Sequence, residues 1–142
     1  EAIMDIQEAL KNLQNSKTTG EVVVSVNGGT EVKFKKVHLH DFGEEKGGYI
    51  AGYTDTTSLI AFGYPGTVKD GPNSAKYEDD FQEPYMTWML TDASGKNYYA
   101  REGTLKITFS KYLQIAEGSF DFITDNHDKV SGTFSVTNIN SA

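Results

Sequence analysis

The sequence predicts an all-β domain, an antiparallel β-sandwich or flattened barrel preceded by one short N-terminal α-helix. Three observations carry this. After Gly20 the apolar residues stop recurring at steps of three and four and begin to alternate, which is the change from a helical period to a strand period. Clusters of Asn, Asp, Gly and Ser punctuate the alternating runs and favour tight reversals. Toward the C terminus one phrase recurs three times, at Gly103-Thr104-Leu105-Lys106-Ile107, Gly118-Ser119-Phe120-Asp121-Phe122 and Gly132-Thr133-Phe134-Ser135-Val136, with intervals of 15 and 14 residues. Each interval holds one strand and one turn, so the repeat predicts a β-meander of similar strands, with each Gly marking a strand start.

Taken in order, Ile3, Ile6, Leu10 and Leu13 lie at helical spacing with Asp5, Glu8, Lys11 and Asn12 between them, an amphipathic pattern that closes one end or face of a sheet. Acids early and Lys11 late suit the helix dipole, and the stretch from Asn15 to Gly20 supplies a stop. Residues 1–19 are therefore read as helix and linker, and 20–142 as the β part of a single domain, 1–142. Val22, Val24 and Val26 begin the first strand, and Asn27-Gly28-Gly29 tolerates the positive φ of a hairpin turn. A return strand covers Val32 to Lys35 and continues through Val37-His38-Leu39-His40. Further strands are expected at 49–53, 58–62 and 85–90. The segment from Gly63 to Pro84 holds all three prolines and little periodicity, so it is expected to be the longest irregular connection. Asp92 to Asn97 is a hairpin tip. Leu105, Ile107 and Phe109, then Phe120 and Phe122, then Phe134 and Val136, offer apolar rows to a common core.

Composition narrows the function classes. The chain has 142 residues, 37% of them hydrophobic, and a net charge of −7, with mean hydropathy −0.48. One domain with one core fits this length. No run approaches the roughly 20 apolar residues of a membrane helix, and an acidic chain lacks the clustered cations that nucleic acid requires. The absence of Cys excludes disulfides, thiolate metal sites and a Cys nucleophile, and it leaves the compartment undecided. Two origins fit the first residues: a mature secreted or cell-envelope protein cut from a signal peptide, or a cytoplasmic one whose native start is Met4 and whose residues 1–3 are an added tail.

Val26-Asn27-Gly28-Gly29, Gly48-Tyr49-Ile50-Ala51-Gly52, Tyr64-Pro65-Gly66 and the terminal Gly103 to Thr108 and Gly132 to Thr137 segments together resemble a family of small bacterial β domains, common in Bacteroidota and often secreted or lipid-anchored. The resemblance covers about residues 20–139. It implies a β-sandwich-like fold and brings no activity with it, and the N-terminal segment and the lack of a lipidation Cys depart from the secreted pattern.

Several stretches carry side chains with chemical potential. His38 and His40 lie two apart in an expected strand and so share a face, where two imidazoles can serve as zinc ligands; ordinary surface histidines are the simpler reading. Asp125-Asn126-His127-Asp128 offers calcium-type oxygens through Asp125 and Asp128, but lacks the full EF-hand pattern and makes an equally good turn. Asp92 to Asn97 shares that ambiguity. No cofactor is expected beyond such a Ca or Zn ion. Tyr77-Glu78-Asp79-Asp80-Phe81-Gln82-Glu83-Pro84-Tyr85 combines four acids with aromatics, and residues 41–102 hold 11 acids against 5 bases. Tyr64, Tyr77, Tyr85 and Trp88 beside Glu78, Asp79 and Asp80 form the expected ligand-binding set, because Tyr and Trp presented at a loop stack on sugars or anchor protein contacts.

No nucleophile elbow, P-loop, dinucleotide fingerprint or zinc-protease motif appears. The expected function is a non-catalytic binding or interaction domain that uses the 63–85 loop and adjacent strand ends, with a protein or glycan partner, as monomer or homodimer. The alternatives are a secreted effector or toxin-like protein acting on a host or membrane partner, and a hydrolase using the loop carboxylates, for which two carboxyl groups about 5–10 Å apart across a cleft are needed.

Overall fold

The computed structural model describes residues 17–54, 58–82 and 85–138, and these form an all-β protein in which one antiparallel sheet curls into a nearly closed barrel. The expected helix between Ile3 and Leu13 lies outside the described residues. The strands are β1 (Thr19–Val26), β2 (Val32–Phe34), β3 (Lys36–Asp41), β4 (Gly48–Tyr53), β5 (Leu59–Tyr64), β6 (Gly71–Lys76), β7 (Met89–Thr91), β8 (Asn97–Ser110), β9 (Ile115–Thr124) and β10 (Lys129–Thr137). They pair in the order β2-β1-β10-β9-β8-β7-β5-β4-β3, with β6 joined to β8 off that path.

Two strands turn the corners. The chain passes from β2, paired with β1, to β3, paired with β4, across the single residue Lys35, so what reads as one return strand divides between the two halves of the barrel. On the far side β8 pairs with β7 through Asn97–Tyr99 and with β6 through Thr104–Phe109, with a register shift against β9 between Ala100 and Glu102. Such an irregularity sharpens the local bend and lets one long strand serve both halves. The barrel's remaining seam lies at β3. There the Thr18 hydroxyl accepts a hydrogen bond from the Leu39 amide at 3.0 Å, and the Asn138 side-chain amide donates to the Leu39 carbonyl at 2.9 Å, so side chains satisfy the Leu39 backbone groups at the edge of β3 opposite β4.

The alternating valines, phenylalanines and leucines fold inward as their period requires. Val22, Leu39, Ile50, Phe62, Leu105, Phe120 and Phe134, from strands of both halves, share one core, in which Phe62 stacks on Phe120 at 4.4 Å between ring centres. The repeated phrase has a packing reason. β9 and β10 pair so that Gly118 faces Phe134 and Gly132 faces Phe120. Gly132 makes room for the Phe120 ring, two of whose atoms would lie 2.9 Å from an added Cβ, whereas a Cβ on Gly118 would run into the Lys106 carbonyl of β8. The glycines therefore lie inside the strands rather than at their starts, and the meander strands are unequal, with 14, 10 and 9 residues.

The expected long loop from Gly63 to Pro84 is mostly ordered structure. β5 runs on to Tyr64, and β6 occupies Gly71–Lys76 despite Gly71, Pro72, Asn73 and Ser74, which are poor strand formers. An edge position explains it: β6 needs donors on one side only, so Pro72 is tolerated. The expected strand at 85–90 contracts to Met89–Thr91.

Candidate functional site

The chain between β6 and β7 crosses between the two partners of β8. Its start is fixed by the Tyr77 amide donating to the Gly103 carbonyl at 3.0 Å, and the reversal that follows places Glu78 at a φ of 68°. The Asp80 carboxylate accepts the Lys76 amide at 2.7 Å, and the Tyr85 hydroxyl donates to Glu78 at 3.0 Å. Beneath these acids Tyr77, Phe81, Tyr85 and Trp88 pack ring against ring, with Tyr77 and Trp88 at 4.9 Å.

Of the expected ligand-binding set, Tyr64, Tyr77 and Trp88 are buried. They fill the core and present no ring to a ligand. Tyr64 lies edge-on to Phe109 and donates to the Asp41 carboxylate at 3.0 Å, and burial together with that carboxylate holds its hydroxyl pKa well above the ordinary tyrosine range. Burial, aided by Glu78, likewise raises that of Tyr77. Among the described residues, the Trp88 indole N–H is a buried donor without an acceptor, an arrangement that costs about 1–3 kcal/mol. Glu78, Asp79 and Asp80 are exposed and Tyr85 is half-buried.

His38 and His40 do share a face. It is the outer face of β3, where their rings stack at 5.6 Å with Tyr49 and Phe42 alongside. Burial, then the neighbouring His40, lowers the His38 pKa from 6.5 to about 4. Among the described residues no three His, Asp or Glu side chains gather as a metal site would require. At the other weak metal stretch, Asp128 accepts from the Asn27 side chain at 3.0 Å and lies 3.7 Å from the Lys96 ammonium, while Asp125 is exposed. Asp92 spends its carboxylate on its own turn, and the Ser94 hydroxyl holds its pKa below the usual carboxylate value.

A further feature was not legible in the sequence. At the tip joining β8 to β9, Lys111, Tyr112 and Leu113 have φ values of 54°, 60° and 65°, three consecutive left-handed residues with no glycine among them. Each such residue costs roughly 1–2 kcal/mol. The Asp70 carboxylate, just ahead of β6, holds the tip by accepting the Tyr112 amide at 2.8 Å and the Leu113 amide at 2.9 Å. Successive amides curled in this way form an anion-binding concavity, and here the protein's own carboxylate fills it. Tyr112 stands 88% exposed. Lys111-Tyr112-Leu113 contains no Gly, Asn or Asp to ease a left-handed turn; the Gln114 amide closes it onto the Ser110 carbonyl at 3.1 Å, and Asp70, 42 residues earlier, holds its outer amides.

The outer face of β1, β10 and β9 carries a shallow trough of about 350 Å³, lined by Ser25, Ser119, Asp121, Lys129, Ser131 and Thr133 among others. It is open and polar, and Phe120, the one aromatic residue of its lining, is buried. Comparison with known proteins finds no matching family model, no matching curated protein and no matching solved structure. The geometry alone must then carry the functional reading. No helix among the described residues is long and apolar enough to cross a membrane.

Proposed function

We propose that this protein is a non-catalytic interaction domain whose contact surface is formed by the 63–85 segment together with the β8–β9 tip. The observation that carries this reading is the exposed Tyr112 on a left-handed turn clamped by Asp70. Non-glycine residues are held in left-handed conformation where the surrounding structure over-determines them, and such strain clusters at functional positions. A pre-ordered aromatic side chain gives large contact area at low entropic cost, which is how interface hot spots work. The carboxylates of Glu78 and Asp80 are committed to Tyr85 and to the Lys76 amide, which favours binding over hydrolysis as the role of this region.

The test compares immobilised wild-type chain with Tyr112→Ala and Asp70→Asn in capture from biological extract and on a panel of soluble glycans, with circular dichroism to verify the fold. A bound species should lose roughly 30-fold or more in affinity for Tyr112→Ala, the scale of a hot spot worth about 2 kcal/mol. Partners that bind both variants as tightly as wild type would remove this surface from consideration.

A further inference from the structure

Strand β2 ends the pairing path, with β1 on one side and no strand on the other. Val32 pairs with Val24 and Phe34 with Val22, so all four side chains point to the barrel interior. Val22, Val24 and Phe34 are 0%, 2% and 1% exposed, yet Val32 is 45% exposed. One row of the core thus stops short at this edge. The backbone beside it is open as well. The Asn27 amide donates to the Lys129 carbonyl of β10 at 2.7 Å. Antiparallel bonding alternates along a strand, so Val24 and Val22 turn their backbone groups to β2, and Val32 and Phe34 answer them. Lys33 then turns its N–H and C=O outward, as does Glu31 where the strand is continued. The other edges are blunted. At β6, Pro72 has no N–H, and Asp80 takes both backbone groups of Lys76, its carboxylate the N–H at 2.7 Å and its amide the C=O at 3.1 Å; at β3, Thr18 and Asn138 take those of Leu39. Among the described residues nothing does this for Lys33. An uncapped edge is a template for another strand.

We propose that β2 pairs antiparallel with β2 of a second copy of this chain, about a two-fold axis at Val32, so that one sheet runs through both molecules. The sequence Thr30-Glu31-Val32-Lys33-Phe34 selects both the occupant and the register. Residues that bond across the new ladder must both turn their backbone groups outward, so the axis passes through a residue. An axis at Glu31 would set Glu31 against its own copy, and an axis at Lys33 would do the same to Lys33. Like charges directly opposite are unfavourable. An axis at Val32 instead sets Glu31 of each chain opposite Lys33 of the other, at the two hydrogen-bonded pairs. Val32 then meets Val32 at the intervening non-bonded pair, where side chains approach most closely. The same register therefore joins the two short core rows, pairs the outward backbone groups and matches the charges. A ladder confined to Thr30–Phe34 covers less than the roughly 1,200 Å² of a stable complex, so the dimer is weak. It uses no residue of the Asp70–Tyr112 surface, and the two can be tested separately.

The test is sedimentation equilibrium of the full chain from about 10 μM to about 1 mM at low salt, with circular dichroism to verify each variant's fold. Wild type should dimerise reversibly within this range, and less as salt rises. Glu31 and Lys33 are exposed, so reversing either charge leaves the barrel intact. Glu31→Lys alone and Lys33→Glu alone each place like charges at both bonded pairs and should weaken association by about tenfold or more. An equimolar mixture of the two variants restores opposite charges at both pairs and should recover the wild-type association. Lys33→Pro removes an outward N–H without touching the β1 ladder and should abolish the dimer. Wild type that stays monomeric at about 1 mM overturns the proposal. So does a mixture that associates no better than its components, and so does a dimer kept in Lys33→Pro but lost in Tyr112→Ala, which would belong to the β8–β9 tip.

Discussion

His38 sits on an apolar outer face between His40 and Tyr49, and its pKa of about 4 follows from that burial first and from the charge on His40 second. Because the unfolded chain binds the proton near pH 6.5 and the folded chain does so only near 4, the contribution of neutral His38 is complete above pH 6.5. It is lost as pH falls through the window from 6.5 to 4. At its steepest the loss approaches about 1.4 kcal/mol per pH unit. Stability measured by urea titration should therefore drop between pH 7 and pH 5 in wild type and fall less in His38→Phe, which keeps an apolar ring and removes the titration. Parallel curves would assign the drop to other groups. Close approach governs a different residue. At Gly132 an added Cβ would lie 2.1 Å from the Val23 carbonyl oxygen and 2.9 Å from the Phe120 ring, whereas at Gly28, with a φ of 74°, it meets nothing within 4 Å. Gly132→Ala should thus cost about 2 kcal/mol or more through overpacking, and Gly28→Ala only about 1 kcal/mol through backbone strain. Urea midpoints of the two variants check the order.

Two hairpin turns share one backbone hydrogen-bond plan and fill its left-handed position with different residues. In the β7–β8 turn the Asp92 amide bonds the Lys96 carbonyl and the Gly95 amide returns to Asp92; in the β9–β10 turn Thr124 bonds Asp128 and His127 returns to Thr124. Gly95 takes a φ of 89° at no steric cost, and His127 takes 66° at the equivalent position. His127→Gly should accordingly stabilise the protein by about 0.5–1 kcal/mol, less the added freedom of the unfolded chain, and an unchanged or lowered Tm would show that the imidazole has a compensating contact. The comparison also explains what a reader of the sequence could see. Turns with Asn27-Gly28 or Ser94-Gly95, and strands with alternating Val22-Val24 or Phe120-Phe122, declare themselves locally, so the all-β class and most strands were legible. β6 was not, because an edge strand is made by the neighbour it pairs with, Leu105 to Phe109 of β8, and not by its own Gly-Pro-Asn-Ser. The candidate site was legible only in part. The acids from Glu78 to Asp80 lie at the surface as their type suggests, but the aromatic residues beside them were needed by the core. The Tyr112 tip depends on Asp70, a contact across 42 residues that local pattern does not carry.

The ten described strands should unfold as one cooperative unit, because both corners of the barrel are made by continuous chain. β8 serves both halves, the β2–β3 passage joins them on the other side, and the inner core draws side chains from every strand except β6, whose Ala75 is nonetheless buried. Neither half can keep its inner face dry without the other, so partial unfolding exposes most of the core at once. Trp88, the only tryptophan, is fully buried against Tyr77 at the junction between β6 and β7, and its fluorescence reports that junction. Far-UV circular dichroism reports the strands instead. The two signals should give the same urea midpoint and slope, as a two-state domain requires. Folding should be slow for the size, on the order of milliseconds to seconds, because the sheet is completed by pairing Thr19–Val26 with Val130–Thr137 from the opposite end of the sequence. Val24→Ala tests that last step: it truncates a buried side chain of β1 opposite Gly132. If the β1–β10 closure follows the rate-limiting barrier, the variant unfolds faster and folds at the wild-type rate; if closure is the barrier, folding itself slows.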